Sequence, residues 1–153
     1  QEIEKIHDNF MLHENSDTYV LVDKTGKVVT TKYGYRIVDY KNEYVKTKDE
    51  DYYYIYDFEG NKVDESKFYD IKLEDDYYVV IDINKKLDIH KYDNSSYSLA
   101  TPIDVDGENY KIDYEVKKVK DGFTVKIKSS GKSYSVDNYG YVNEDRIPSA
   151  IAP

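Results

Sequence analysis

Residues 53–63 of the chain read Tyr53-Tyr54-Ile55-Tyr56-Asp57-Phe58-Glu59-Gly60-Asn61-Lys62-Val63. Aromatic and β-branched side chains fit a pleated, half-buried surface, so the run that ends at Asp57 predicts a strand. Gly60 lies three residues later and can adopt the positive φ that closes a short hairpin loop. The stretch therefore predicts a strand, a tight turn and a returning strand that begins near Val63.

The same pattern recurs along the chain. Each copy has a strand-forming run, an anchor residue at its end, a turn and a returning segment, and the further copies cover residues 17–28, 76–87 and 122–132. The anchors are Asp23, Asp57, Asp82 and Lys128. Because the copies agree at both the strand and the turn, the sequence predicts an internal repeat.

A short apolar segment also precedes each copy, so each unit is predicted to be a three-stranded antiparallel meander. These segments are Phe10-Met11-Leu12, Tyr44-Val45, Ile71-Lys72-Leu73 and 116–119. We therefore predict an all-β fold of repeated meanders, arranged as a partial β-propeller or as a stack of β-repeats.

The predicted domain covers residues 1–146, and residues 147–153 are predicted to be a tail or linker. The copies are expected near 10–40, 43–70, 71–95 and 114–142. An inserted hairpin is expected over 98–113, with its turn at Asp106-Gly107. Residues 1–9 fit either a first strand or a short helix.

Alternation along the middle strands predicts which face meets the core. The face predicted to be buried carries Val20, Val22, Tyr54, Tyr56, Val79, Ile81, Val125 and Ile127. The opposite face is also apolar in the first three copies, which is typical of strands covered on both sides. In the fourth copy that face carries Thr124, Lys126 and Lys128, so we expect it to be open to solvent.

Composition restricts the partners. The net charge is −9, from 31 acidic and 22 basic residues. Such a field repels the phosphates of nucleic acid and anionic lipid, so neither is an expected partner. No apolar run approaches about 20 residues, so membrane insertion is not expected. There is no cysteine, which excludes disulfides and thiolate metal sites. We expect no metal and no cofactor.

The run Lys24-Thr25-Gly26-Lys27-Val28-Val29, followed by Lys32-Tyr33, resembles the bacterial WG repeat, with Tyr in place of the family's Trp. Lys67-Phe68-Tyr69-Asp70-Ile71 carries the same likeness, which extends over about residues 10–142. The resemblance implies a β-repeat fold and brings little functional information.

A second likeness is to the choline- and glucan-binding repeats of Gram-positive surface proteins. It lies in Tyr53-Tyr54-Ile55-Tyr56-Asp57-Phe58-Glu59-Gly60 and implies a cell-wall or sugar ligand. Together with a residue bias typical of AT-rich bacterial genomes, it favours an extracellular or cell-surface protein of a Gram-positive bacterium.

Three histidines, His7, His13 and His90, lack the spacing of zinc ligands and have no Ser in a nucleophile turn. Two acidic clusters, Asp49-Glu50-Asp51 and Glu74-Asp75-Asp76, could supply a cation site or a carboxylate pair for glycoside hydrolysis. Both clusters precede a middle strand, however, and a catalytic pair is not expected to recur at every turn. We therefore favour turn-forming residues, ahead of a docking edge for a basic partner and ahead of catalysis.

Tyrosines are the remaining candidates, because each offers a flat face and a hydroxyl. The predicted ligand-binding residues are Tyr52, Tyr54, Tyr77, Asp49, Asp51, Asp75 and Asp76. The sequence favours a non-catalytic binding or spacer module, with a protein or a cell-wall glycan as partner. The alternative is a carbohydrate-active enzyme that uses the turn carboxylates.

Overall fold

The structure, a computed structural model, describes residues 3–6, 9–13, 18–29, 36–93, 98–105, 108–111 and 113–145. Within these ranges every regular element is a strand and none is a helix. The strands are β1 (Ile3–Ile6), β2 (Asn9–His13), β3 (Tyr19–Asp23), β4 (Arg36–Lys41), β5 (Tyr44–Lys48), β6 (Tyr53–Asp57), β7 (Asp70–Leu73), β8 (Tyr77–Ile81), β9 (Lys86–Lys91), β10 (Ile103–Asp104), β11 (Tyr114–Val119), β12 (Gly122–Ile127), β13 (Ser133–Asp137) and β14 (Val142–Glu144).

The strands form three antiparallel sheets that are not closed into a barrel. The first follows chain order from β1 to β6, and β3 meets β4 through the single residue pair Tyr19 and Ile37. The second has the order β10-β9-β8-β7, and the third has the order β11-β12-β13-β14. The prediction of an all-β fold of repeated antiparallel meanders is confirmed.

The chain divides into two compact units, residues 1–75 and 76–153. The first unit has a buried cluster of aliphatic and aromatic side chains, Met11, Leu21, Ile37, Val45, Tyr54, Tyr56 and Phe58. The second buries side chains from β8, β9, β12 and β13, and the rings of Tyr77 and Phe123 pack edge to face with centroids 4.8 Å apart. The described part of the chain contains no helix of the length and apolarity needed to cross a membrane.

Within the described part of the chain, one turn recurs four times with the same hydrogen bonds. In each, an aspartate at or just beyond the end of a strand accepts two backbone N–H bonds through Oδ1, from the residues two and four positions later, at 2.8–3.0 Å. The aspartate N–H donates to the carbonyl four positions later, and its own carbonyl accepts from the N–H three positions later. We call this arrangement the Asp turn, and its aspartates are Asp23, Asp57, Asp82 and Asp137.

The third residue after each aspartate has positive φ, because the loop closes through a left-handed residue. Glycine fills this place three times, with φ of 87° at Gly26, 90° at Gly60 and 87° at Gly140. Lys85 takes it in the remaining turn, with φ of 61°.

The fourth anchor differs from the prediction. Lys128 does follow β12, but its turn is one residue longer, because the Ile127 N–H reaches Lys132 and the Ile127 carbonyl accepts from Gly131. No acidic side chain stands at 128, and Asp113 supplies the carboxylate instead, accepting from the Ser129 N–H at 2.7 Å and from the Ser129 hydroxyl at 2.8 Å. The residue equivalent to the first three anchors is therefore Asp137, at the end of β13.

Burial matches the predicted faces in three copies out of four. Every residue of β8 is buried, and β6 is buried up to its final Asp57. In β12 the buried residues Val125 and Ile127 alternate with exposed Thr124 and Lys126, as predicted. In β3 the prediction is wrong, because Leu21 is fully buried whereas Val20 and Val22 are half-buried.

Two open points concern the chain ends and the insertion. Residues 3–6 form a strand, so of the two alternatives for 1–9 the strand is the one observed there. The inserted hairpin is predicted over 98–113, and its Asp106-Gly107 turn lies outside the described residues. Its flank at Ile103 and Asp104 pairs with β9 and becomes the edge of the second sheet. The predicted tail, 147–153, also lies outside the described residues.

Candidate functional site

Asp49, one of the predicted ligand-binding residues, closes the loop before β6. Its Oδ1 accepts the N–H groups of Asp51 at 2.9 Å and Tyr52 at 2.7 Å, and its Oδ2 accepts the Tyr54 hydroxyl at 2.7 Å. Partial burial raises the pKa of Asp49, but these hydrogen bonds and the nearby Lys67 charge outweigh it and hold the pKa below its usual value. The carboxylate is thus fully engaged in forming the turn.

Tyr52, in the same loop as Asp49, packs against Tyr69 and Lys67. Its ring lies 5.4 Å from the Tyr69 ring, centroid to centroid, and the Lys67 Nζ sits 4.5 Å from its centroid. The charge and the hydrogen bond of Tyr69 raise the pKa of Tyr52 above its usual value. Tyr52 is half-buried and packs against the core cluster of the first unit.

The other predicted carboxylates are exposed and lie in two different turns. Asp51 belongs to the Asp49 turn, whereas Asp75 lies beside the hairpin between β4 and β5. The Asn42 side-chain amide donates to the Asp75 carbonyl at 3.3 Å, and Lys41 Nζ is 3.5 Å from its carboxylate. Asp76 is exposed at the start of the second unit.

Two of the predicted tyrosines are interior residues. Tyr54 is 9% exposed and belongs to the core cluster of the first unit, and Tyr77 is 6% exposed and packs against Phe123. A covered ring cannot serve as a stacking platform. Of the three predicted tyrosines, Tyr52 alone is half-buried rather than buried.

His90 lies on β9, with Nε2 3.2 Å from Asp88 Oδ2 and its ring against Tyr78. It is half-buried, as predicted for a strand histidine. His7 lies outside the described residues, and so does the side chain of His13. Among the described residues, no group of three or more His, Asp or Glu is placed to hold a metal ion.

A concave depression of about 440 Å³ lies in the first unit and was not predicted from the sequence. We call it the cationic cleft, and its lining is Arg36, Val38, Asp39, Lys46, Lys48 and Tyr53. Arg36 on β4 is the direct partner of Lys48 on β5, which in turn is the partner of Tyr53 on β6. Direct partners share one face of a sheet, so these three side chains form a row across three strands.

Lys46 lies two residues before Lys48 on the same face of β5. Its Nζ is 3.2 Å from Asp70 Oδ1 and 4.4 Å from the Tyr53 ring centroid, and the Lys48 Nζ is 5.3 Å from the same centroid. The register between β4 and β5 shifts between Ile37 and Asp39, which is a β-bulge. The bulge places Asp39, rather than Val38, opposite Lys46.

The sequence carried one visible signal for this cleft. Lys46 and Lys48 alternate on the segment before a middle strand, and alternation predicts a common face. Arg36 is one of only two arginines in the chain.

A second unpredicted feature is Tyr139 and Tyr141, which flank Gly140 in the last Asp turn and are 82% and 62% exposed.

Comparison with known proteins gives no family. No protein-family model matches the chain, and no curated protein matches it. Among solved structures it is similar to the computationally designed Ika8 protein, with 12% identity over 95% of this chain and a TM-score of 0.40. It is also similar to KlHsv2 with loop 6CD replaced by a Gly-Ser linker, with 15% identity over 93% of this chain and a TM-score of 0.44. The chain spans 57% and 51% of those two chains, and at these scores neither likeness bears on its function.

Proposed function

We propose that this chain is a non-catalytic binding module whose acidic turns are mainly scaffold. The observation that carries the proposal is the Asp turn, which recurs at Asp23, Asp57, Asp82 and Asp137 with the same hydrogen bonds. Asp49 forms a different turn, in which it accepts two backbone N–H groups and the Tyr54 hydroxyl. A carboxylate that accepts bonds from its own backbone is held in place as a turn former, and such a role recurs naturally in a repeat.

The contact surface that we propose combines the half-buried Tyr52 with the exposed carboxylate of Asp51. Tyr139 and Tyr141 provide a second aromatic surface in the other unit. An acidic edge steers a basic protein or peptide, whereas an aromatic face stacks on a sugar ring. The resemblance to bacterial WG and wall-binding repeats supports a place in a surface or secreted bacterial protein.

The test is a titration with a lysine-rich peptide and with purified cell-wall glycan, at low and at high salt. A basic partner should bind more weakly at high salt, since the Debye length is only about 8 Å at physiological ionic strength. Asp51→Asn should weaken peptide binding, and Asp121→Asn, an equally exposed change in the other unit, should not. Absence of binding to both ligands would refute the proposal.

The alternative function, a carbohydrate-active enzyme, predicts a different result for the exposed carboxylates of the turns. A glycosidase that uses turn carboxylates would release reducing ends from a wall glycan, and Asp51→Asn or Asp75→Asn would abolish that release. We expect no release by the unmodified chain. Release of reducing ends that depends on either carboxylate would show that the chain is an enzyme and not a binding module.

A further inference from the structure

We infer that the cationic cleft of the first unit binds a small oxyanion, carried as a carboxylate or a phosphate on a ligand of about monosaccharide size. The site differs from the Tyr52 surface, and neither proposal needs the other. Its volume of about 440 Å³ falls within the usual range for clefts that hold small ligands.

Charge distribution is the first reason. The whole chain carries −9, yet three of the six residues lining this one depression are cations. Lys46 is already paired with Asp70, and both side chains are largely buried, at 15% and 13% exposed. Arg36 and Lys48 remain as the cations available to a ligand, with Asp39 as the only carboxylate in the lining.

Strand register is the second reason. Arg36 and Lys48 are direct cross-strand partners, and like charges placed opposite each other destabilise a sheet. Among the described residues, neither is within ion-pair distance of a carboxylate. An anion between the two side chains would remove this repulsion, so binding and stability of the first unit should rise together.

Side-chain chemistry gives the ligand class. The guanidinium of Arg36 presents parallel N–H donors that match the two oxygens of a carboxylate or a phosphate. Lys48 adds a point charge from the facing strand. Tyr53, beneath the two lysines, gives the cleft an aromatic floor that attracts their ammonium groups and holds them in place.

The experiment is calorimetric titration of the full chain with glucuronate, inorganic phosphate and neutral glucose at low salt. Glucuronate or phosphate should bind and raise the melting temperature, glucose should not bind, and the better anion identifies the oxyanion. Arg36→Ala should weaken binding at least about tenfold, the usual effect of losing a charge-assisted hydrogen bond. Lys126→Ala, an exposed lysine of the second unit with the same change in net charge, should leave the affinity unchanged.

Asp39→Asn provides a test in the opposite direction. Removing the one carboxylate of the lining should strengthen oxyanion binding several-fold, because a like charge near the ligand is lost. The inference is overturned if neither anion binds, if glucose binds as well as glucuronate, or if Arg36→Ala and Lys126→Ala behave alike. Each of these results leaves the Tyr52 proposal unaffected, because that surface is probed with basic peptide and wall glycan.

Discussion

Strands β8 and β13 each lead into an Asp turn, at Asp82 and at Asp137, but they differ in how deeply they are buried. Every residue of β8 is buried, whereas in β13 only Val136 is buried and Ser135 is exposed. Two residues before the turn aspartate, β8 has Val80 and β13 has Ser135. The turn is therefore formed by local chemistry, from Asp and a residue with positive φ, and does not depend on how deeply its strand is buried.

The largest expected effect comes from placing a charge at that equivalent position. Val80→Lys would bury an ammonium without a partner, and we expect it to cost more than about 4 kcal/mol in the free energy of unfolding. Ser135→Lys should change that free energy by less than about 0.5 kcal/mol, because the site faces solvent. Urea unfolding of both variants measures the difference, and equal losses would show that β13 is covered as β8 is.

At Gly122, the first residue of β12, the backbone approaches β13 closely. Its φ is 152°, and a Cβ there would lie 1.8 Å from the Val136 carbonyl oxygen. Gly122→Ala should cost at least about 3 kcal/mol, because the two strands must separate. Gly131→Ala is the matched control, with φ of 72° and nothing within 4 Å. It should cost about 1–2 kcal/mol from backbone strain alone.

A smaller effect tests the face assigned to β3. Leu21 is fully buried, so Leu21→Ala should cost about 2–4 kcal/mol through lost burial and a residual cavity. Val22 is half-buried and also belongs to the strand before an Asp turn. Val22→Ala should cost about 1 kcal/mol or less. If Val22→Ala cost more free energy of unfolding than Leu21→Ala in urea melts, the buried face of β3 would be the one that alternation predicted.

The smallest effect is the pH dependence of the first Asp turn. The Thr25 hydroxyl, which donates to Asp23 Oδ1 at 2.6 Å, and then the Lys27 N–H lower the pKa of Asp23 below its ordinary 3.8. A lowered pKa means that the stabilisation is present above pH 3.8 and is lost as the pH falls through the folded value. NMR titration of the Asp23 carboxyl should give a midpoint below 3.8. Thr25→Ala should raise this midpoint, whereas Thr25→Ser, which keeps the hydroxyl, should leave it near its original value. An unchanged midpoint in Thr25→Ala would show that the Thr25 hydroxyl does not lower the pKa of Asp23.

Much of the fold could be predicted from the sequence because strand and turn signals are local. The run from Tyr53 to Gly60 contains both, and its repetition identified Asp23 and Asp82 correctly. The fourth anchor was misplaced because Gly122 to Ile127 is the more apolar run, whereas the strand before Asp137 contains two serines. The Asp137-x-x-Gly140 signal was nevertheless present in the sequence.

Less of the site could be predicted, since it depends on tertiary structure. Alternation placed Tyr54 on the buried face, and Tyr77 has the same parity as Val79 and Ile81 on that face, so the burial of both tyrosines was indicated by the sequence. The cationic cleft depends on the pairing of Arg36 with Lys48 and on the bulge at Val38. Register and bulges are set by the partner strands, so neither can be derived from one segment alone.

By its turn hydrogen bonds Asp137, and not Lys128, is the fourth equivalent of the repeat. The most direct measurement compares the free energies of unfolding of Asp57→Ala, Asp137→Ala and Lys128→Ala. Asp57→Ala and Asp137→Ala should each cost about 1 kcal/mol, because each removes a carboxylate that accepts two turn N–H groups. Lys128→Ala should stay within about 0.5 kcal/mol of the unmodified chain. A loss at Lys128 equal to that at Asp57, with none at Asp137, would contradict the claim.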